Sequence, residues 1–123
     1  MSSELGSAVI FDIMKDEISS GKHVNLTKIK GIAEFRITVD GQERAVWTID
    51  LRSSPGDVFP EKLPPGTKIN AIVTISDENF VKLCIGELDP IQGFMSGKFK
   101  IQGDFLMMQK LNTVMKGARK SVL

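Results

Sequence analysis

The stretch Gly86–Leu111, GELDPIQGFMSGKFKIQGDFLMMQKL, is punctuated densely enough to order the elements on either side of it. Gly86 suits the left-handed position that ends one helix, and Asp89-Pro90 starts the next with an N-cap and a proline at the first helical position. Gly97 ends that short helix. From Lys98 to Gln102 polarity alternates as in a strand, with Phe99 and Ile101 on one face and Lys98, Lys100 and Gln102 on the other. Gly103-Asp104 then turns the chain and caps a last helix, whose apolar stripe is Met107, Met108, Leu111, Val114 and Met115.

Upstream, Ile69 to Ile75 alternates with Ile69, Ala71, Val73 and Ile75 on one side. Ser76 caps a helix whose inner face is Phe80, Leu83 and Cys84, with Asp77 and Glu78 at its positive end. Two longer runs, Ile32 to Val39 and Arg44 to Arg52, flank the hairpin signal Asp40-Gly41. Ala33, Phe35, Ile37 and Val39 share one face of the first; Ala45, Trp47, Ile49 and Leu51 share one face of the second. Each run has one polar face, so the sheet is expected to be wet on its second side. Ser54-Pro55-Gly56 reads as a turn, Asp57 to Phe59 as a short edge strand and Pro60 to Gly66 as a stiff loop.

A first helix, capped by Ser2 or Ser3, runs to about Ser20 and stops at Gly21; Lys22, Asn25 and Lys28 mark an exposed connection with room for one helical turn. Val9, Ile10, Phe11, Ile13, Met14 and Ile18 cover about half the circumference of that helix, wider than the ~100° stripe one contact surface requires. Two explanations stay open: burial by a second helix as well as the sheet, or part of the arc bordering an apolar cavity. The sum is an α+β domain spanning residues 1–123, one sheet with helices on one face.

Composition narrows the function. Sixteen basic against fifteen acidic residues leave a formal charge of +1, and no stretch interleaves arginines with aromatics, so a nucleic-acid partner is not expected. The charge is uneven: six basic residues against Asp104 make residues 98–123 +5 and leave −4 on residues 1–97. Such a tail can solubilise the chain or attract an anionic membrane surface. One cysteine, Cys84, excludes an intramolecular disulfide and fits a reducing compartment, and no apolar run approaches the ~18 residues of a membrane span. The expectation is a soluble, intracellular protein.

Catalytic chemistry has little support. The only histidine, His23, sits in a polar Gly-Lys-His turn; Gly31, Gly41 and Gly56 are isolated and form no phosphate loop; no metal-ligand spacing exists. An enzyme, a cofactor and a metal are therefore not expected. What stands out is seven phenylalanines, Trp47 and six methionines, whose unbranched thioethers suit either ordinary core filling or a site for varied flexible chains.

In order and spacing, Gly86-x-Leu88-Asp89-Pro90, Phe94-Met95-x-Gly97-Lys98-Phe99-Lys100-Ile101-x-Gly103-Asp104 and Gln109-Lys110-Leu111 resemble the sterol carrier protein type 2 family. Trp47 to Leu51 and Ser76 to Phe80 match as well, so the resemblance covers nearly all 123 residues. It implies a five-stranded mixed sheet in the order 3-2-1-4-5, covered on one face by about five helices, with an apolar tunnel between. It implies a carrier of fatty acids, fatty acyl-CoA, phospholipids or sterols that exchanges them at membranes or with enzymes. Carried over by position, the lining is Met14, Ile18, Phe35, Trp47, Phe80, Leu83, Met95, Phe99, Ile101, Met107, Met108, Leu111 and Met115. Gln109 matches a glutamine of some relatives, yet falls on the polar side of the last helix, where exposure explains it equally well.

Two departures bear on function. Many relatives have glutamine directly after the Asp-Pro, as a polar contact near the ligand; Ile91 stands there and Gln92 follows. Many also end in a serine- or alanine-lysine-leucine peroxisomal address, whereas Ser121-Val122-Leu123 lacks the basic residue. The expected location is a peroxisome or related microbody, with an import receptor reading Ser121–Leu123, or else the cytosol. The competing functions are an interaction module docking a partner through the methionine stripe, and an acyl-CoA-processing enzyme.

Overall fold

The computed structural model describes residues 5–20, 30–53, 56–109 and 111. Its sheet has five strands: β1 (Ile32–Val39), β2 (Gln42–Asp50), β3 (Asp57–Phe59), β4 (Ala71–Ser76) and β5 (Phe99–Gly103), in the order β3-β2-β1-β4-β5. The pairs are antiparallel except β1–β4, which runs parallel. Four helical segments are described, α1 (Gly6–Ser19), α2 (Asp77–Ile85), α3 (Pro90–Met95) and α4, helical at residues 105–109 and 111. About five helices were expected; the extra turn was assigned near residues 22–28, outside the described residues.

Local chemistry accounts for most boundaries. Asp40 (φ 54°) and Gly41 (φ 79°) form a two-residue turn with both residues left-handed, and the ladder begins at Val39 opposite Gln42. β2 therefore starts two residues earlier than the alternation suggested, and a bulge between Ile37 and Thr38 absorbs the difference. Ser76 Oγ accepts the Asn79 N–H at 3.1 Å to start α2, and Gly86 ends it at φ 86° with the Glu87 N–H donated to the Lys82 carbonyl at 2.8 Å. Asp89 Oδ2 accepts the Gln92 N–H at 2.9 Å to start α3, and Asp104 Oδ1 accepts the Met107 N–H at 3.1 Å to start α4.

The entry to α1 differs from expectation. Leu5 occupies its N-cap without a side-chain bond, and Ser2 and Ser3 lie outside the described residues. The free N–H groups of Gly6 and Ser7 are instead taken by the Asp77 carboxylate, at 3.3 and 2.9 Å, so one acidic residue serves the starts of two helices.

Register gathers the inward side chains into rows. Trp47, Phe35, Val73 and Ile101 face one another in turn across β2, β1, β4 and β5; Ala45, Ile37, Ile75 and Phe99 form the next row. Over the β2–β1 half of the sheet, α1 inserts Phe11 against Trp47 and Phe80, with centroids 4.9 and 4.6 Å away, and edge-on to Phe35 at 5.4 Å. Apart from Val9, which is 44% exposed, the wide arc of α1 is thus spent on the sheet and on α2, which answers the question its pattern left open in favour of a second helix.

The opposite face of the sheet is drier than its alternation suggested. Glu34 is 5% exposed, bonded to Arg36 Nε at 2.7 Å, and Thr48 is fully buried, donating its hydroxyl to the Glu61 carbonyl at 2.6 Å. The loop after β3 folds back over this side and supplies that acceptor. Just before β4, Asn70 ties three elements: its side-chain oxygen accepts the Ile32 N–H, its own N–H donates to the Ile32 carbonyl, and its carbonyl accepts the Asp104 N–H, at 2.9, 2.9 and 2.8 Å.

Candidate functional site

Where the β2–β1 half of the interior is filled by rings, the β4–β5 half is hollow. A cavity of about 300 Å³ lies there, floored by Phe35, Val73, Phe99 and Ile101 from three strands. Leu83 of α2 and Phe105 and Met108 of α4 wall it, and Asp89, Pro90, Ile91 and Gln109 stand at its mouth. The hollow follows from the elements above it. β5 is paired on one side only, and the helix above it, α3, is six residues long. Gly93 brings that helix close, since a Cβ there would stand 2.8 Å from the Phe99 ring.

Chemically the lining is apolar. Neither lysine, arginine nor histidine borders the cavity among the described residues, and of the two polar groups Asp89 already serves as the N-cap of α3. Gln109 is exposed at the edge. Ile91 borders the mouth, so the contact available there directly after Asp89-Pro90 is apolar. Such a surface can remove alkyl chain from water, at roughly 0.8 kcal/mol per methylene, and can say little about the identity of that chain.

The predicted lining separates into groups. Phe35, Leu83, Phe99, Ile101, Met108 and Gln109 border the cavity. Met14, Ile18, Trp47, Phe80, Met107 and Leu111 are buried in the packed core and do not border it, Trp47 and Phe80 being stacked on Phe11 instead. Met95, at the end of α3, is 79% exposed and does not border the cavity. Met115, Val114 and Ser121–Leu123 lie outside the described residues, as do His23 and the Ser54-Pro55 part of a predicted turn. The predicted lining lacked Asp89, Pro90 and Ile91 at the mouth, and Val73 and Phe105 within. Val73 is found only through register, opposite both Phe35 and Ile101, whereas Phe105 carried a usable signal, three residues before Met108 on the same helix face.

The rim is also apolar. Ile91 (55% exposed) stands at the mouth, Phe94 (38%), Met95 (79%) and Leu106 (66%) are exposed on α3 and the start of α4, and the Phe94 ring meets those of Phe105 and Phe99 at 5.2 and 6.2 Å. The Cys84 thiol, by contrast, is sealed inside: burial pushes its pKa up to about 12, leaving it protonated at neutral pH. Among the described residues no group of three metal-ligating side chains assembles, and no helix is long and apolar enough to cross a membrane.

Comparison with known proteins agrees with this architecture. The model of the SCP-2 sterol transfer family matches residues 12–116. The chain belongs to that family. Among its SCP-2 relatives, "Non-specific lipid-transfer protein-like 1" of Caenorhabditis elegans is 32% identical over 111 residues, covering 89% of each chain. "Peroxisomal multifunctional enzyme type 2" of Mus musculus is 34% identical over 117 residues, 95% of this chain; the chain spans only 16% of that enzyme. The apo form of Sterol Carrier Protein 2 from Yarrowia lipolytica shares the fold with a TM-score of 0.77 at 23% identity, covering 97% of this chain and 96% of the other.

Proposed function

We propose that this protein is a non-enzymatic, non-specific lipid carrier: it holds the alkyl part of a fatty acid, fatty acyl-CoA, phospholipid or sterol in the cavity over β4 and β5 and exchanges it at a membrane surface or with an enzyme. The observation that carries this reading is the cavity itself, about 300 Å³ of apolar space bordered by Phe35, Val73, Phe99, Ile101 and Met108. An interior of this size left unfilled sacrifices packing that a purely structural core would keep. The lipid-transfer name of the C. elegans relative, which this chain matches over most of its length, supports the same reading. So do the exposed apolar side chains of α3 and the start of α4, Ile91, Phe94, Met95 and Leu106, which offer apolar contact to a bilayer surface on the elements beside the mouth. Among the predicted contacts we retain Phe35, Leu83, Phe99, Ile101, Met108 and Gln109 for the ligand, and add Val73, Ile91 and Phe105.

Native mass spectrometry of the purified protein is expected to reveal co-purified lipid, and a fluorescent fatty acid to bind at one per chain and be displaced by acyl-CoA. Absence of saturable binding across fatty acids, acyl-CoA, phospholipids and sterols would defeat the proposal; steady product formation from acyl-CoA would replace the carrier with an enzyme. We assign the protein to the peroxisome, in line with the name of the mouse relative. A fusion with an N-terminal fluorescent tag that stays cytosolic would reverse that assignment.

A further inference from the structure

We propose that Phe11, a residue that does not touch the cavity, determines how long an alkyl chain this carrier encloses. The inference rests on the lipid-carrier reading above. The row Trp47, Phe35, Val73, Ile101 runs unbroken across four strands, and all four side chains face the helices. The hollow nevertheless occupies only one end of that row: Phe35, Val73 and Ile101 border it and Trp47 does not. Phe35 is the end wall, and Phe11 is what stands behind the wall. Its ring is fully buried, 5.4 Å from that of Phe35, and stacked between Trp47 and Phe80 at 4.9 and 4.6 Å. Phe80 also meets Phe35 edge-on at 5.7 Å, so the Phe35 ring has no room to turn away from the cavity.

The space has a definite capacity. Closed at one end by Phe35 and open at the mouth, the cavity of about 300 Å³ encloses only a limited length of alkyl chain. Affinity is therefore expected to rise about fourfold for each added methylene, the equivalent of ~0.8 kcal/mol, until the chain reaches that length. Further carbons emerge at the mouth and add little. Removing the six carbons of the Phe11 ring would open a void behind Phe35 into which that side chain can swing, lengthening the enclosed chain by a few carbons.

The test is a competition series of saturated fatty acids from eight to twenty carbons against a fluorescent fatty acid, on the full chain, with folding checked by thermal melting. The wild type should level off at a definite chain length within the series, Phe11→Ala a few carbons later, and Phe11→Leu, the milder change if alanine prevents folding, by a smaller step in the same direction. Val73→Phe, which fills the cavity floor and leaves Phe11 in place, should shorten the plateau. An unchanged plateau in a folded Phe11 variant while Val73→Phe still shortens it overturns the inference and leaves the carrier reading standing. A wild type that binds none of the series overturns both.

Discussion

The Asp77 carboxylate accepts the backbone N–H of Ser7 at 2.9 Å across seventy positions of sequence, and so joins the first turn of α1 to the first turn of α2. The same side chain reaches Gly6 N–H at 3.3 Å. This bond sets where α1 begins and, through it, where Phe11 lands on the ring cluster. Removing it should be felt by both helices. Asp77→Ala is expected to lower the stability to urea by about 1–2 kcal/mol, the usual cost of a lost N-cap, and Asp77→Asn by clearly less, since the amide oxygen still accepts. Equal losses in the two variants would mean that the bond contributes nothing.

Gly103, at φ 93°, ends β5 against Asn70, and a Cβ there would be driven into the Asn70 carbonyl, which also accepts the Asp104 N–H. Gly103→Ala should therefore cost at least ~2 kcal/mol by chemical denaturation, combining left-handed strain with a backbone collision. The same substitution at Gly41, where nothing stands within 4 Å, should cost only the conformational part.

The buried thiol yields a prediction of sign. A folded pKa near 12, raised by burial above the ordinary 9.0, means that the unfolded chain loses its proton first as pH rises. Stability tied to Cys84 is complete below pH 9 and declines between 9 and 12, by at most ~1.4 kcal/mol per pH unit. Native protein at pH 8 should resist a thiol-modifying disulfide reagent and react promptly in denaturant. Rapid modification of the native state would refute the sealed thiol.

Two carboxylates act in the acid range. Bonds from Arg52 to Asp50 and from Lys15 to Asp57 hold both below the ordinary 3.8. Their contribution is present above that value and is lost as pH falls through their folded values. Lys15 Nζ also donates to the Val58 carbonyl at 2.8 Å, pinning α1 to β3. In Lys15→Met the Asp57 titration followed by NMR should move up toward its ordinary value while that of Asp50 stays; the energetic effect should be small, because the pair is half exposed.

The rim separates exchange from affinity. Met95 and Leu106 are exposed and do not border the cavity. Met95→Asp and Leu106→Asp should slow transfer of a fluorescent fatty acid to vesicles several-fold, by putting a charge where apolar contact is needed, while equilibrium affinity stays within about twofold. Transfer at the wild-type rate in both would show that lipid exchanges by another route.

Much of the fold could be read from the chain because its signals are local. Ser76, Gly86, Asp89-Pro90, Gly103 and Asp104 act within one turn of themselves, and every one sits where its chemistry requires. Alternation gave each strand its inward face, apart from one-sided surprises such as Glu34 and Thr48, whose burial depends on a loop returning from elsewhere. The site was less legible. Phe35 and Trp47 carry the same alternation and the same aromatic character, and nothing near either in sequence says that one borders a cavity and the other a stack.

The amino-acid sequence by itself determined the elements, their order and their apolar faces, since backbone preference, capping and periodicity are settled among residues a few positions apart. Only the tertiary structure decided which apolar face is packed and which is left empty. A void is a difference between two surfaces brought together from distant parts of the chain, here α1 delivering Phe11 to one half of the sheet while the short α3 leaves the other half uncovered.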